Sequence, residues 1–208
     1  DGNSSTMTLL DGLGYFTDKL SYDIPNRMTD GYGISFNIIE KCIEDNIDLI
    51  ITCDNGISAI EQCEYVKQNG LKIIVTDHHQ TIKHDGKENI PNADAVINPQ
   101  QQSCKYPFKS LCGAGVCYKL IQAINVKKGY GMLECENLLQ YVAMGTVCDI
   151  VDLKDENRYF VTKGLQEINN TDNYGLKCLI EMTGIRNGVN VYSLGFIIGP
   201  CINAAGRL

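Results

Sequence analysis

The sequence predicts an α/β fold in which a mostly parallel sheet is flanked by helices and the C-terminal part becomes more helical. Two short β-branched runs, residues 48–52 and 72–76, each lead straight into polar residues, as strands buried on both faces do. Between them, residues 57–70 have the length of a crossover helix and end on a glycine, the connection that parallel strands require. Beyond about residue 111 the segments lengthen and become amphipathic, which favours helices.

The other elements follow from the same patterns. Residues 4–19 read as a helix and 20–24 as a short strand, after which Pro25-Asn26 and Asp30-Gly31-Tyr32-Gly33 mark a loop. Ile38, Ile39, Cys42 and Ile43 stand at helical spacing within 34–46. A further strand is expected at Ala93–Asn98, then helices over 113–128, 134–147, 155–169 and 174–184. The stretch Tyr192–Arg207 is apolar and then glycine-rich, and receives no assignment.

Composition narrows the function classes. With 208 residues, 44% hydrophobic and 21% charged, the chain can bury a sizeable core and is too apolar for disorder. No apolar run approaches the roughly 18–20 residues that span a bilayer, and no signal segment is visible, so a soluble, cytoplasmic protein is expected. Ten cysteines stand at 42, 53, 63, 104, 112, 117, 135, 148, 178 and 201 with no C-x-x-C pair. Several, such as Cys117 and Cys148, lie in apolar runs, which favours buried reduced thiols over disulfides or structural zinc. A net charge of −7 argues against a polyanionic ligand unless divalent cations offset the carboxylates. The chain begins at Asp1-Gly2 and stops at Arg207-Leu208 abruptly, and is expected to be a fragment.

Chemistry concentrates at the ends of the two predicted strands. Asp77-His78-His79 follows one, and Asp54-Asn55-Gly56 follows the other; sites in open α/β sheets form on that rim. A solvated polar turn would explain the first cluster, and a helix cap would explain Asp54. Their pairing on adjacent strand ends is more specific than either. Asp149, amid Val147, Cys148, Ile150 and Val151, needs a partner if buried; a metal ion would serve, and a helix cap is the alternative. Carboxylates mixed with imidazole suit Mn²⁺ or Mg²⁺ better than structural zinc. Two such ions form the usual clamp for attack on a phosphodiester.

TDHHQ at 76–80, TCDNGIS at 52–58, YVAMGTVCDIVDL at 141–153 and GPCINAAGRL at 199–208 together resemble the DHH phosphoesterase superfamily. Within it they resemble the RecJ-type single-strand-specific exonucleases. YDIPNRMTDGYGIS at 22–35, AVINPQQQSCKYPF at 95–108 and LCGAGVCYKL at 111–120 resemble the same family in the same order. The resemblance implies one catalytic domain over 1–208, with an α/β core to about residue 110 and a helical part from about 111. It implies a metal site of Asp1, Asp54, His78 and Asp149, with Asp54 bridging to a second ion. Asp1-Gly2 matches the end of the family's first aspartate motif, so the second ion is expected to be held more weakly here. His79 is expected to orient or protonate phosphate oxygens, and Asp77 to orient the imidazoles, a structural turn being the alternative for Asp77.

By the resemblance, Arg27, Arg207 and Asn203 match positions that the family uses towards substrate, a plain surface arginine being the alternative for Arg27 and Arg207. Gly113 and Gly115 offer backbone N–H groups to a phosphate, or simply a tight turn before a helix. Cys201 departs from the basic residue usual before I-N-A-A-G-R. The implied activity is Mn²⁺- or Mg²⁺-dependent, 5′-to-3′ degradation of single-stranded DNA to 5′-mononucleotides in DNA repair and recombination. A helicase or single-strand-binding protein is the implied protein partner, and no membrane is involved. Two rivals are a sibling enzyme acting on nano-RNA, cyclic dinucleotides or pyrophosphate, and a non-catalytic DNA-binding scaffold.

Overall fold

The computed structural model describes residues 1–25, 31 and 33–205. Its elements are α1 (Gly2–Gly14), α2 (Phe36–Glu44), β1 (Leu49–Cys53), α3 (Ile60–Gln68), β2 (Lys72–Thr76), β3 (Ile82–His84), β4 (Lys87–Asn89) and β5 (Ala95–Ile97). The helical part follows as α4 (Gly113–Lys128), a 3₁₀ segment (Met132–Leu138), α5 (Leu139–Cys148), α6 (Asp155–Asn169) and α7 (Tyr174–Met182). The last described stretch is helical throughout: α8 (Val191–Ser193), one π-helical turn (Leu194–Ile198) and α9 (Gly199–Ala205).

β1, β2 and β5 form a parallel sheet in the order β1-β2-β5. Alternation along the strands sends side chains to two cores. Ile73 and Val75 face α2 and α3 with Ile39, Cys63 and Val66. Ile51, Cys53 and Ile97 lie against the larger core, built from α1, α4, α5 and α6 around Leu9, Ile121, Val142 and Phe160. The sheet is thus covered on both faces, as β-branched parallel strands require. Ser35 caps α2 by accepting from the Ile38 N–H at 3.3 Å, and Gly70 takes a left-handed φ of 78° after α3, closing the βαβ unit.

Two expectations are corrected, and one element is new. Residues 20–24 form no strand; they are irregular and line the same cavity as Leu49–Cys53. The antiparallel hairpin β3–β4 was not foreseen, because its side chains are nearly all exposed and show no apolar alternation. Cys148 is exposed rather than buried; all ten cysteines are free thiols, with Cys63, Cys112, Cys117 and Cys135 buried. Among the described residues, no helix is long and apolar enough to cross a membrane.

Candidate metal centre

The centre is set by how β1 and β2 end. Register pairs Cys53 with Thr76, so the next residues, Asp54 and Asp77, leave the sheet at one level. Asp54 adopts φ 61°, a left-handed conformation that aspartate tolerates better than most residues. The turn is held by Asn55 Nδ2 donating to the Cys53 carbonyl at 2.8 Å and Thr52 Oγ1 donating to the Asn55 carbonyl at 2.8 Å. Gly56, at φ 109°, is required there, since a Cβ would come 2.6 Å from Thr52 Oγ1.

Asp77 is almost wholly buried, with its side chain 1% exposed. Its Oδ1 accepts from the backbone N–H groups of His78 at 2.7 Å and His79 at 3.1 Å, and lies 2.7 Å from His79 Nδ1. Its Oδ2 accepts from the Ile57 N–H at 2.9 Å. One carboxylate therefore ties the turn after β1 to the turn after β2 and fixes the His79 ring. Asn98 holds the same turn by donating to the His79 carbonyl at 2.9 Å.

Two further carboxylates come from the helical layer. Asp1 precedes α1, and its side chain reaches the start of α4. Oδ2 accepts from the Gly113 N–H at 2.5 Å, and Oδ1 accepts from the Ala114 N–H at 3.1 Å and Ser5 Oγ at 3.3 Å. A helix N-terminus favours an anion there. Asp149 caps the C-terminal end of α5. Close packing lets these groups approach: a Cβ on Gly145 would come 2.6 Å from Asp1 Oδ1, and one on Gly113 would come 2.6 Å from Asp54 Oδ1.

Three carboxylates converge on one imidazole nitrogen. His78 Nε2 lies 3.0 Å from Asp54 Oδ1, 3.7 Å from Asp1 Oδ2 and 3.7 Å from Asp149 Oδ2. The 3.0 Å approach lacks hydrogen-bond alignment, and both His78 Nε2 and Asp54 Oδ1 are buried without a hydrogen-bond partner. Burial lowers the pKa of His78, but the negative charges of Asp54, then Asp149 and Asp77, raise it above its ordinary value. The Asp149 carboxyl is raised chiefly by burial, with the Asp54 charge adding to the rise and His78 opposing it.

Such a cluster asks for a cation. Buried polar atoms without partners are costly, and three carboxylates around one ring repel one another. A divalent ion would satisfy both orphaned atoms, and an oxygen-rich donor set with one imidazole suits Mn²⁺ or Mg²⁺. Two overlapping ligand groups can be drawn: Asp1, His78 and Asp149, and Asp54, His78 and His79. His79, 58% exposed, lines a cavity of about 1440 Å³ together with Asp1, Asp54 and Asp77.

The structure brings Asp1, Asp54, Asp77, His78, His79 and Asp149 together. It places the exposed Asn203 on α9, at the wall of the same cavity. Arg27 and Arg207 lie outside the described residues. Of the two readings of Gly113 and Gly115, phosphate contact or a tight turn before a helix, the N–H contacts seen are internal to the protein. Gly113 donates to Asp1, and Gly115 is buried and donates to Cys112 Sγ at 3.4 Å. Sequence reasoning missed Gly145, Asn98 and Ser5, whose parts depend on contacts distant in sequence. Asn55, whose Oδ1 is buried and unpartnered, had a signal in the Asp-Asn-Gly turn. Ile150 had none: it is 90% exposed beside Asp149 with φ 58°, an outlier for a β-branched residue.

Comparison with known proteins places these features in a family. The profile of the DHH family, N-terminal domain, matches residues 1–146. The whole chain is 39% identical to the single-stranded-DNA-specific exonuclease RecJ of Bacillus subtilis (strain 168), and covers 25% of it. Against the structure of exonuclease RecJ bound to manganese the TM-score is 0.84 at 29% identity, covering 98% of this chain and 50% of that one. Against RecJ in complex with Mn²⁺ from Thermus thermophilus it is 0.78 at 28% identity, covering 98% and 28%. The chain therefore spans only a quarter to a half of the relatives it matches.

Proposed function

The chain belongs to the DHH family, and from that premise we propose that it carries the metal centre of a phosphodiesterase that degrades single-stranded DNA from the 5′ end. The products would be 5′-mononucleotides, and the setting DNA repair and recombination in the cytoplasm, alongside a helicase or single-strand-binding protein. The RecJ likeness supports the substrate, since the relatives are named as exonucleases specific for single-stranded DNA, and the polarity rests on the resemblance of the sequence motifs alone. One observation carries the reading: a buried, unpartnered His78 Nε2 lies within 3.0–3.7 Å of carboxylate oxygens from Asp54, Asp1 and Asp149.

In this reading Asp1, Asp54, His78 and Asp149 would hold Mn²⁺ or Mg²⁺. When bound, such an ion supplies a nucleophilic water at neutral pH and offsets charge on the phosphoryl oxygens. The protein's own groups do the rest. Asp77 anchors His79 through Nδ1, which leaves Nε2 as the end free to meet a phosphoryl oxygen, and the protonated ring would donate to it. The α4 N-terminus and Ser5 keep Asp1 oriented.

The test is a comparison of substrates. With Mn²⁺ the protein should release mononucleotides from a long 5′-phosphorylated single strand, and act slowly on duplex DNA, dinucleotides and pyrophosphate. His79→Ala should lower kcat by about 10²–10⁴-fold with Mn²⁺ affinity little changed. Preference for dinucleotides, or full activity in His79→Ala, would overturn the reading.

A further inference from the structure

An exposed aromatic pair lies on the helical stretch whose other residues line the cavity of Asp1 and Asp54. Tyr192 and Phe196 are stacked, with ring centroids 5.1 Å apart and planes at 27°, and they are 66% and 72% exposed. Residues four apart are neighbours along a helix surface, so the pair runs along one side of the α8–π–α9 rod. The π-helical turn Leu194–Ile198 holds Phe196 and begins two residues after Tyr192, and such turns are frequent at functional sites.

The adjoining side of this rod belongs to the cavity. Gly195, Gly199, Ile202 and Asn203 line it together with Asp1, Asp54 and His79. The rod also packs on the segment that carries Asp149. Gly199 leaves no room for a side chain, because a Cβ would come 2.5 Å from Cys148 Sγ; that thiol lies 3.9 Å from the Leu194 carbonyl. The rod that carries the aromatic pair is therefore packed on Cys148, the residue before Asp149, while the two rings stay open to solvent.

We propose that Tyr192 and Phe196 form a stacking platform for unpaired nucleobases of the strand whose backbone enters the metal centre. The proposal rests on the single-strand reading above. Two large π-faces left open on the rod that lines the cavity of Asp1, Asp54 and His79 match a ligand that offers flat apolar rings and phosphates in alternation. Base stacking on aromatic side chains tolerates any sequence, and a paired base inside a duplex has no free face to give. The platform would thus contribute selection for unpaired strands within this chain.

The chain contains no tryptophan, so Phe196→Trp introduces a sole reporter at the platform. With Mn²⁺ present, a phosphorothioate-linked oligothymidylate of about 12 nucleotides, within the usual site size, should bind by anisotropy and quench the tryptophan emission. An abasic strand of equal length and charge should bind about tenfold more weakly without quenching. Tyr192→Ala, at an exposed position, should weaken oligothymidylate about tenfold and leave the abasic strand unaffected. Binding without quenching, or equal affinity for the two strands, overturns the platform while leaving the single-strand reading intact. Failure of both strands to bind overturns both.

Discussion

His78 sits among three carboxylates, and that arrangement has opposite consequences for the metal-free and the metal-bound protein. The pKa values of His78 and Asp149 are both raised, so the folded chain binds more protons than the unfolded chain. Metal-free stability from these two groups should therefore increase as pH falls through their raised values. Protons compete with a cation for the same atoms, so Mn²⁺ affinity should fall over the interval in which His78 becomes charged. Urea midpoints in EDTA and calorimetric Mn²⁺ titrations between about pH 8 and about pH 6, bracketing the ordinary imidazole value, should show the two trends diverging. Asp149→Asn, at a partly exposed position, should stay folded and lose Mn²⁺ affinity at least about tenfold. Ile150 makes a separate prediction at this scale. A left-handed conformation costs a branched residue about 1–2 kcal/mol, and at 90% exposure its side chain gives up little packing. Ile150→Gly should then leave stability unchanged or raise it by about 1 kcal/mol in chemical denaturation; a clear loss would mean that the side chain has a structural partner.

Among the elements, legibility followed burial. Helices α4 and α6 were legible to the residue, since each runs between clear breaks and carries an apolar stripe. The βαβ unit was legible from two β-branched runs, and with it the rim on which Asp54 and Asp77-His78-His79 meet. The hairpin β3–β4 was not, although Asp85 and Gly86 at its tip both take positive φ, 50° and 77°, as Asp-Gly does in a tight hairpin turn. The rod from Val191 to Ala205 stayed unassigned because Gly195, Gly199 and Pro200 argue against a helix by propensity; tertiary packing against Cys148 overrides them. The contacts of Asp1 with Gly113 and Ala114 were illegible, since nothing in local sequence links residues so far apart along the chain. Packing of α5 on α6 yields a prediction of its own. At Gly164 a Cβ would meet the Leu139 carbonyl and Ala143, so Gly164→Ala should separate the helices and cost about 1–3 kcal/mol, read from the urea midpoint, with a far smaller change in Mn²⁺ affinity.

For the whole molecule, charge is the deciding quantity. Asp and Glu outnumber Lys and Arg by 25 to 18, and three carboxylates converge at the centre. A phosphate backbone approaching it would be repelled unless a cation were already held there. Oligonucleotide binding should therefore depend on the metal: chelation by EDTA should reduce affinity at least about tenfold, the scale of one lost close charge pair, and added Mn²⁺ should restore it. Equal binding with and without metal would place the contacts elsewhere on the surface. The sheet order has a different outcome. Among the described residues β1 has a strand on one side only, and Leu49 at its start is 41% exposed. A border strand of this kind lets a second copy dock by the same ladder. Concentrated samples would then turn cloudy well below the unfolding temperature, and charge introduced at Leu49, as in Leu49→Lys, would be the simplest way to keep them clear.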